Sequence, residues 1–589
     1  MMKFWIFGLA TLLFLEIPAR GQLDSGTGNP AIISGIYENG DFQSFTFVNS
    51  VVGWDTFWNA GFVGSGRVIA NVEAGLVWGG HDAFLRPAGS LPAIGMTYVG
   101  TGALDEVDFH ATMVGNVLAG TGYVAGSDPA DFYLSGLGMA PMAQIWSGAI
   151  ATSYSATETG SFDTTTDSTV SVYRAFFQGI NNVKPDAINS SWGGMDLQAP
   201  EMVAIEGLAR QNPTVAFVAA AGNGDEPGVA APVSAPGANF NGITVGSLGG
   251  ASFLTPSGFS SSGAVDFYNP VSGQTLTGVR AAVDIAAPGE NLALAAYLGP
   301  TGSVGASTDP GIIQIVEDPS PTDLNFVNQS GTSFAAPIVA GGITLLKDAA
   351  ENDIFYNLNG VASANDTRVI KSVMMAGATE TEGWDNGQTV NLDGAILTTQ
   401  ALDYATGAGA LDLDRAVGIY LLSDTRDVAG AGGGAISATG WDYGNVGRGQ
   451  STDYLFSNPF EIPIELTVSL NWFSGTSFNN GTGLGENLSF TDLNLQVWTV
   501  VDGDLTALVA ASSSVYNNAE FLRIDLPAGS YALRITFNGL VYETDPGSVT
   551  GEEYGLAWHA IPEPGTVLLL LFAGLVVVLK LSKNRRTNL

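Results

Sequence analysis

Two spacings of apolar residues divide the chain. From Gly66 onward, apolar runs of strand length alternate with stretches of helical period, at Val68–Val72, Met113–Ala119, Ala187–Ser190, Thr214–Ala220 and Ile243–Ser247. Such alternation predicts an α/β domain, a mostly parallel sheet with flanking helices. After about residue 425 the pattern changes. Gly430–Gly434 reads as a flexible Gly-rich linker, and beyond it short alternating runs at Ile464–Trp472, Leu493–Val500, Phe521–Leu526 and Ser530–Phe537 predict a β-sandwich. No internal repeat is evident.

The two ends carry different signals. Met1–Gly21 combines Lys3, an apolar run from Phe4 to Leu15, and small residues at Ala19 and Gly21, the pattern of a cleaved signal peptide. At the other end Pro562-Glu563-Pro564-Gly565 precedes the aliphatic run Val567–Leu579, followed by Lys580, Lys583, Arg585 and Arg586. That run falls short of the roughly 20 residues of a bilayer span, while its basic flank is that of a positive-inside anchor. A processed sorting tail fits the short run better than a retained transmembrane helix. The expected organisation is therefore a signal peptide at 1–21, an N-terminal segment at 22–54, an α/β domain at 55–425, a linker at 426–440, a sandwich at 441–560 and a membrane-directed tail at 561–589.

Composition removes several classes of function. A net charge of -36 repels nucleic acid. The absence of cysteine excludes thiol catalysis, Cys-ligated zinc and disulfides. Histidine occurs only at His81, His110 and His559, with no HExxH, which argues against a zinc peptidase. No cofactor is needed for the chemistry below; oxygen-ligated Ca²⁺ could add stability, but the sequence identifies no site for it.

The candidate chemistry starts at Gln329-Ser330-Gly331-Thr332-Ser333-Phe334-Ala335-Ala336-Pro337, just before a helical pattern through Ile338, Val339, Ile343 and Leu346. Small residues around Ser333 admit a substrate backbone, and a helix starting there offers free N–H groups and a positive dipole end to a developing oxyanion. This string closely resembles the nucleophile segment of the subtilisin-like serine peptidases, the S8 family. His110-Ala111-Thr112-Met113-Val114-Gly115 resembles that family's histidine segment, with Ala111 for the usual Gly and Met113 for the usual second His. Phe217–Gly224, containing Asn223, resembles the oxyanion segment, and Ala187–Gly194 resembles the strand that pairs with an extended substrate and lines its first pocket.

The resemblance implies Ser333 as nucleophile, His110 as general base and Asn223 as oxyanion donor, with Ser191, Trp192 and Gly193 meeting the substrate. Trp192 could equally be core packing. Gly138–Pro141, Ala286–Gly289 and Gly407–Asp412 also match, so the likeness covers roughly residues 55–420. One position departs: Arg67–Leu76 has the pattern of the aspartate segment, but the aligned acid is Glu73. Its extra methylene moves the carboxylate by about 1 Å unless the surroundings compensate, and such a shift can cost ~10²-fold in rate. Asp82 lies past the following turn and Asp108 flanks His110, so Glu73 is the expected orienting carboxylate. A rival expectation is a degenerate site that only binds peptides.

Two further resemblances concern the C-terminal part. Leu526–Tyr531 and Tyr554–Trp558 are similar to pre-peptidase C-terminal domains of secreted bacterial peptidases. The tail resembles the PEP-CTERM signal, which implies export across a Gram-negative inner membrane and cleavage by a sorting peptidase of the exosortase type. Protein or peptide substrates complete the expected partners. Only about 30 residues separate the expected signal cleavage from the first family-like segment, too few for a folded pro-domain.

Overall fold

Fully buried strands form the centre of the first domain. In this computed structural model Val68–Glu73, Ala187–Ser190, Ala216–Ala220 and Ile243–Gly249 are buried at every position, as a parallel sheet covered on both faces requires. The spatial order is Ile94–Val99, Gln144–Ala149, Val68–Glu73, Ala187–Ser190, Ala216–Ala220, Ile243–Gly249, with Ile285–Pro288 beside the last. Every one of these neighbours pairs in parallel, and only the edge strand Thr255–Pro256 is antiparallel. The structure describes residues 33–561 except 39–40, 87–88, 122–135, 156–159, 225–230, 296, 298–325, 354–357, 359–360, 424 and 428–432. The expected signal peptide, the tail from Pro562 and most of the 290–328 insertion lie outside the described residues.

Strand alternation sends successive side chains to opposite faces. Ile69 joins the core under the helices Phe109–Ala119 and Thr332–Asn352, whereas Val68, Ala70 and Val72 join the core under Thr166–Gln178 and Pro200–Gln211. Met113–Ala119, one of the apolar runs noted in the sequence, falls within the first of these helices. Among the described parts of the insertion, Leu292–Ala295 and Phe326–Gln329 pair antiparallel, and the second leads directly to Ser333.

The C-terminal part is two sheets facing one core, which holds Leu493 and Leu533 from one sheet and Leu466, Leu522 and Leu556 from the other. The runs expected from the sequence appear as Ile464–Trp472, Leu484–Val501, Ala519–Leu526 and Gly529–Glu543. The sandwich pairs and hydrogen-bonds with the α/β domain. Thr425–Arg426 and Gly434–Ala435, on either side of the undescribed 428–432, are already strands of its sheets, and Ile396–Thr398 pairs in parallel with Asp504–Ser512. Across the junction, the Arg523 guanidinium donates to the carbonyls of Ala378 and Ala408, while buried Arg368 pairs with Asp366 and donates to Tyr443 Oη. Among the described residues no helix is long and apolar enough to cross a membrane.

Candidate active site

The carboxyl ends of parallel strands are where an open α/β sheet leaves a crevice, and here four segments converge on that edge. Glu73 is the last residue of its strand. Period-two alternation puts Ile69, Asn71 and Glu73 on the face covered by the Phe109–Ala119 helix, so the carboxylate is aimed at the start of that helix. Asp108 caps the helix, its Oδ1 accepting from the Ala111 N–H at 2.7 Å, which fixes the first turn and the imidazole at its second position.

Glu73 is buried, 1% exposed, and uses both oxygens. Oε2 lies 3.0 Å from His110 Nδ1, and Oε1 accepts from the Ser191 N–H at 3.0 Å. The extra methylene is thus accommodated by a second anchor, just past the end of the neighbouring strand, rather than by displacement from the histidine. An ionised carboxylate only accepts, so Nδ1 carries the proton and Nε2 keeps its lone pair for a substrate-side hydroxyl. Burial by itself would depress the His110 pKa; the charge and hydrogen bond of Glu73, followed by the charge of Asp108, outweigh it and raise the pKa above the usual value. The ring also lies 5.8 Å from that of Phe334.

Ser333 occupies the second position of the Thr332–Asn352 helix, and among the described residues its N–H has no partner. Its hydroxyl donates to the Ser191 carbonyl at 3.1 Å, and among the described residues no hydrogen bond joins it to His110. Asn223 stands beside it after a turn at Gly222, whose φ of 104° and close approach to Ser261 favour glycine. Asn223 Oδ1 accepts from both the N–H and the hydroxyl of Thr332, at 3.0 and 3.1 Å. A main-chain N–H can only donate, so the oxygen is the atom fixed on Thr332, and the amide nitrogen of this exposed residue remains available as a donor.

The structure thus brings together Glu73, His110, Ser333 and Asn223. The three residues expected to meet substrate divide. Ser191 is buried and touches both Glu73 and Ser333. The Trp192 indole is in the core, edge-on to Phe162, so the main chain is what this residue offers a substrate. Gly193 is exposed, and strand pairing has stopped at Ser190, leaving the backbone of 192–193 open to an extended peptide. Sequence reasoning treated Asp108 only as a misplaced triad acid and missed its capping role, although an Asp three residues before a buried amide is a readable helix start. Asn71 and Asn189 were missed altogether. Among the described residues no group of three or more acids and histidines is gathered as a metal site.

The family model of the Subtilase family matches residues 98–409, more than half of the chain, and so includes His110, Asn223 and Ser333 while leaving Glu73 outside. No curated protein matches. Among solved structures, one described as "Crystal structure of MycP1 with the N-terminal propeptide removed" is 20% identical, with a TM-score of 0.37, over 63% of this chain and 96% of that one.

Proposed function

We infer, from the premise that this chain belongs to the subtilase family, that it is an exported serine endopeptidase working through a Ser-His-Glu triad. The observation that carries this reading is the contact of His110 Nδ1 with a buried Glu73 carboxylate, beside a serine at a helix start. With the proton held on Nδ1, Nε2 takes the Ser333 proton as Oγ attacks the peptide carbonyl, and Glu73 stabilises the imidazolium. The tetrahedral oxyanion is met by the Ser333 N–H and the Asn223 amide. His110 then protonates the leaving amine, and water, activated by the same imidazole, hydrolyses the acyl-enzyme.

Export and C-terminal processing are inferred from the two ends of the sequence: a signal peptide to Gly21, and a PEP-CTERM-like tail cut by an exosortase-type peptidase. The rival, a silent peptide-binding protein, draws on the Glu at the aligned acid position and the Ser333 hydroxyl resting on Ser191. Hydrolysis of a denatured protein by the purified chain, absent in a folded Ser333→Ala variant, is the expected result. Equal turnover by the two would remove Ser333 from the chemistry, and binding without turnover by the parent would favour the rival.

A further inference from the structure

A proline inside a helix leaves one carbonyl without its donor. Pro337 lies in the second turn of the Thr332–Asn352 helix, and the carbonyl it fails to serve, four residues back, is that of Ser333. A side chain takes the missing place: Ser191 Oγ donates to the Ser333 carbonyl at 2.8 Å. A hydroxyl has one hydrogen, and its direction here is set from behind, because Asn189 Nδ2 donates to Ser191 Oγ at 3.0 Å. The second hydrogen of the Asn189 amide goes to Asn71 Oδ1 at 3.1 Å, and Asn71 Nδ2 reaches the carbonyl of Ala111 at 3.3 Å. Asn71 and Asn189 are fully buried. The line of bonds runs from the residue after His110 to Ser333 itself, across two strands of the sheet.

We propose that Ser191 is a positioning residue for the nucleophile, its hydroxyl replacing the main-chain donor that Pro337 withholds from the Ser333 carbonyl. This deepens the peptidase reading and rests on it. Three groups of one residue then register the triad: the N–H holds Glu73, the carbonyl receives the resting Ser333 hydroxyl, and the side chain fixes the Ser333 backbone. Buried hydrogen-bond networks of this kind fix geometry because each member is costly to leave unpaired. Proline at 337 gives Ser191 its task, for any other residue there would cap the carbonyl from within the helix.

That dependence supplies the test. Ser191→Ala is made alone and in a Pro337→Ala background, with kcat and KM measured on one peptide substrate and competent sites counted by fluorophosphonate titration. Removing the hydroxyl from the parent is expected to lower kcat by roughly ten- to a hundredfold with KM nearly unchanged, the scale of a small misplacement of a reacting group. In the Pro337→Ala background the loss is expected to be several-fold smaller, since the new main-chain N–H can reach the Ser333 carbonyl. A loss of equal size in both backgrounds, or one confined to KM, overturns the proposal while leaving a labelled, active parent as a peptidase. A parent that takes up no label overturns the peptidase reading and this proposal with it.

Discussion

The most informative single residue is Glu73, because it stands where the family resemblance implies an aspartate. Its carboxylate bridges His110 Nδ1 and the Ser191 N–H at 3.0 Å each, and a side chain one methylene shorter cannot keep both contacts from the same backbone. Glu73→Asp is therefore expected to lose activity, on the order of 10²-fold in kcat/KM; a gain would mean that the site merely tolerates a drifted acid. The same contact has a pH signature. General-base catalysis needs neutral His110, whose pKa is raised by Glu73, so the acid limb of kcat/KM should lie above the ordinary histidine value. An acid limb at or below that value would count against the contact. Local strings in the sequence name Glu73, His110, Asn223 and Ser333, the four residues that the fold gathers at one crevice. They could not show how the longer acid fits, because the compensating N–H belongs to Ser191, 118 positions away.

At the scale of elements, the crevice is made by a strand end, two helix starts and one turn. The turn is anchored to the nucleophile's helix, since Thr332 donates twice to Asn223. Asn223→Ala removes a donor used chiefly in the transition state, and kcat should fall by about 10² to 10³ with little change in KM, seen in steady-state kinetics. A change in KM alone would make Asn223 a binding or structural residue. Element types were legible because their patterns differ: the fully buried strands are short runs of apolar and small residues broken by few polar ones, and the sandwich strands alternate. Pairing across distant segments was not. The union of Ile396–Thr398 with Asp504–Ser512 and the relay through Asn71 and Asn189 depend on contacts that no local pattern encodes.

The two domains are joined through buried polar groups, and one buried acid near the junction gives the molecule a pH-dependent stability. Glu206, on the Pro200–Gln211 helix beside the sandwich, has one carboxyl oxygen bonded to the Phe240 N–H and the other, among the described residues, without a hydrogen-bond partner. Burial raises its pKa to about 7, despite the Phe240 N–H, Arg280 and Lys371. A folded pKa above the unfolded one means that the native state binds the extra proton, so this contribution is intact below about pH 4.5 and is lost as pH rises through about 7. The thermal stability of the parent should therefore fall over that range more than that of Glu206→Gln; parallel pH profiles would show that Glu206 is not the cause. The sequence showed two domains and a Gly-rich segment between them, but not their docking, since buried charges such as Arg368 and Arg523 look like surface residues until their partners are in place. The proposed function requires one activated serine, and its most direct test is the rate of fluorophosphonate labelling, with the adduct located by peptide mass. The account predicts a single adduct on Ser333 and a labelling rate about 10⁴-fold lower in Glu73→Gln; no adduct on Ser333, or an unchanged rate in that variant, would contradict it.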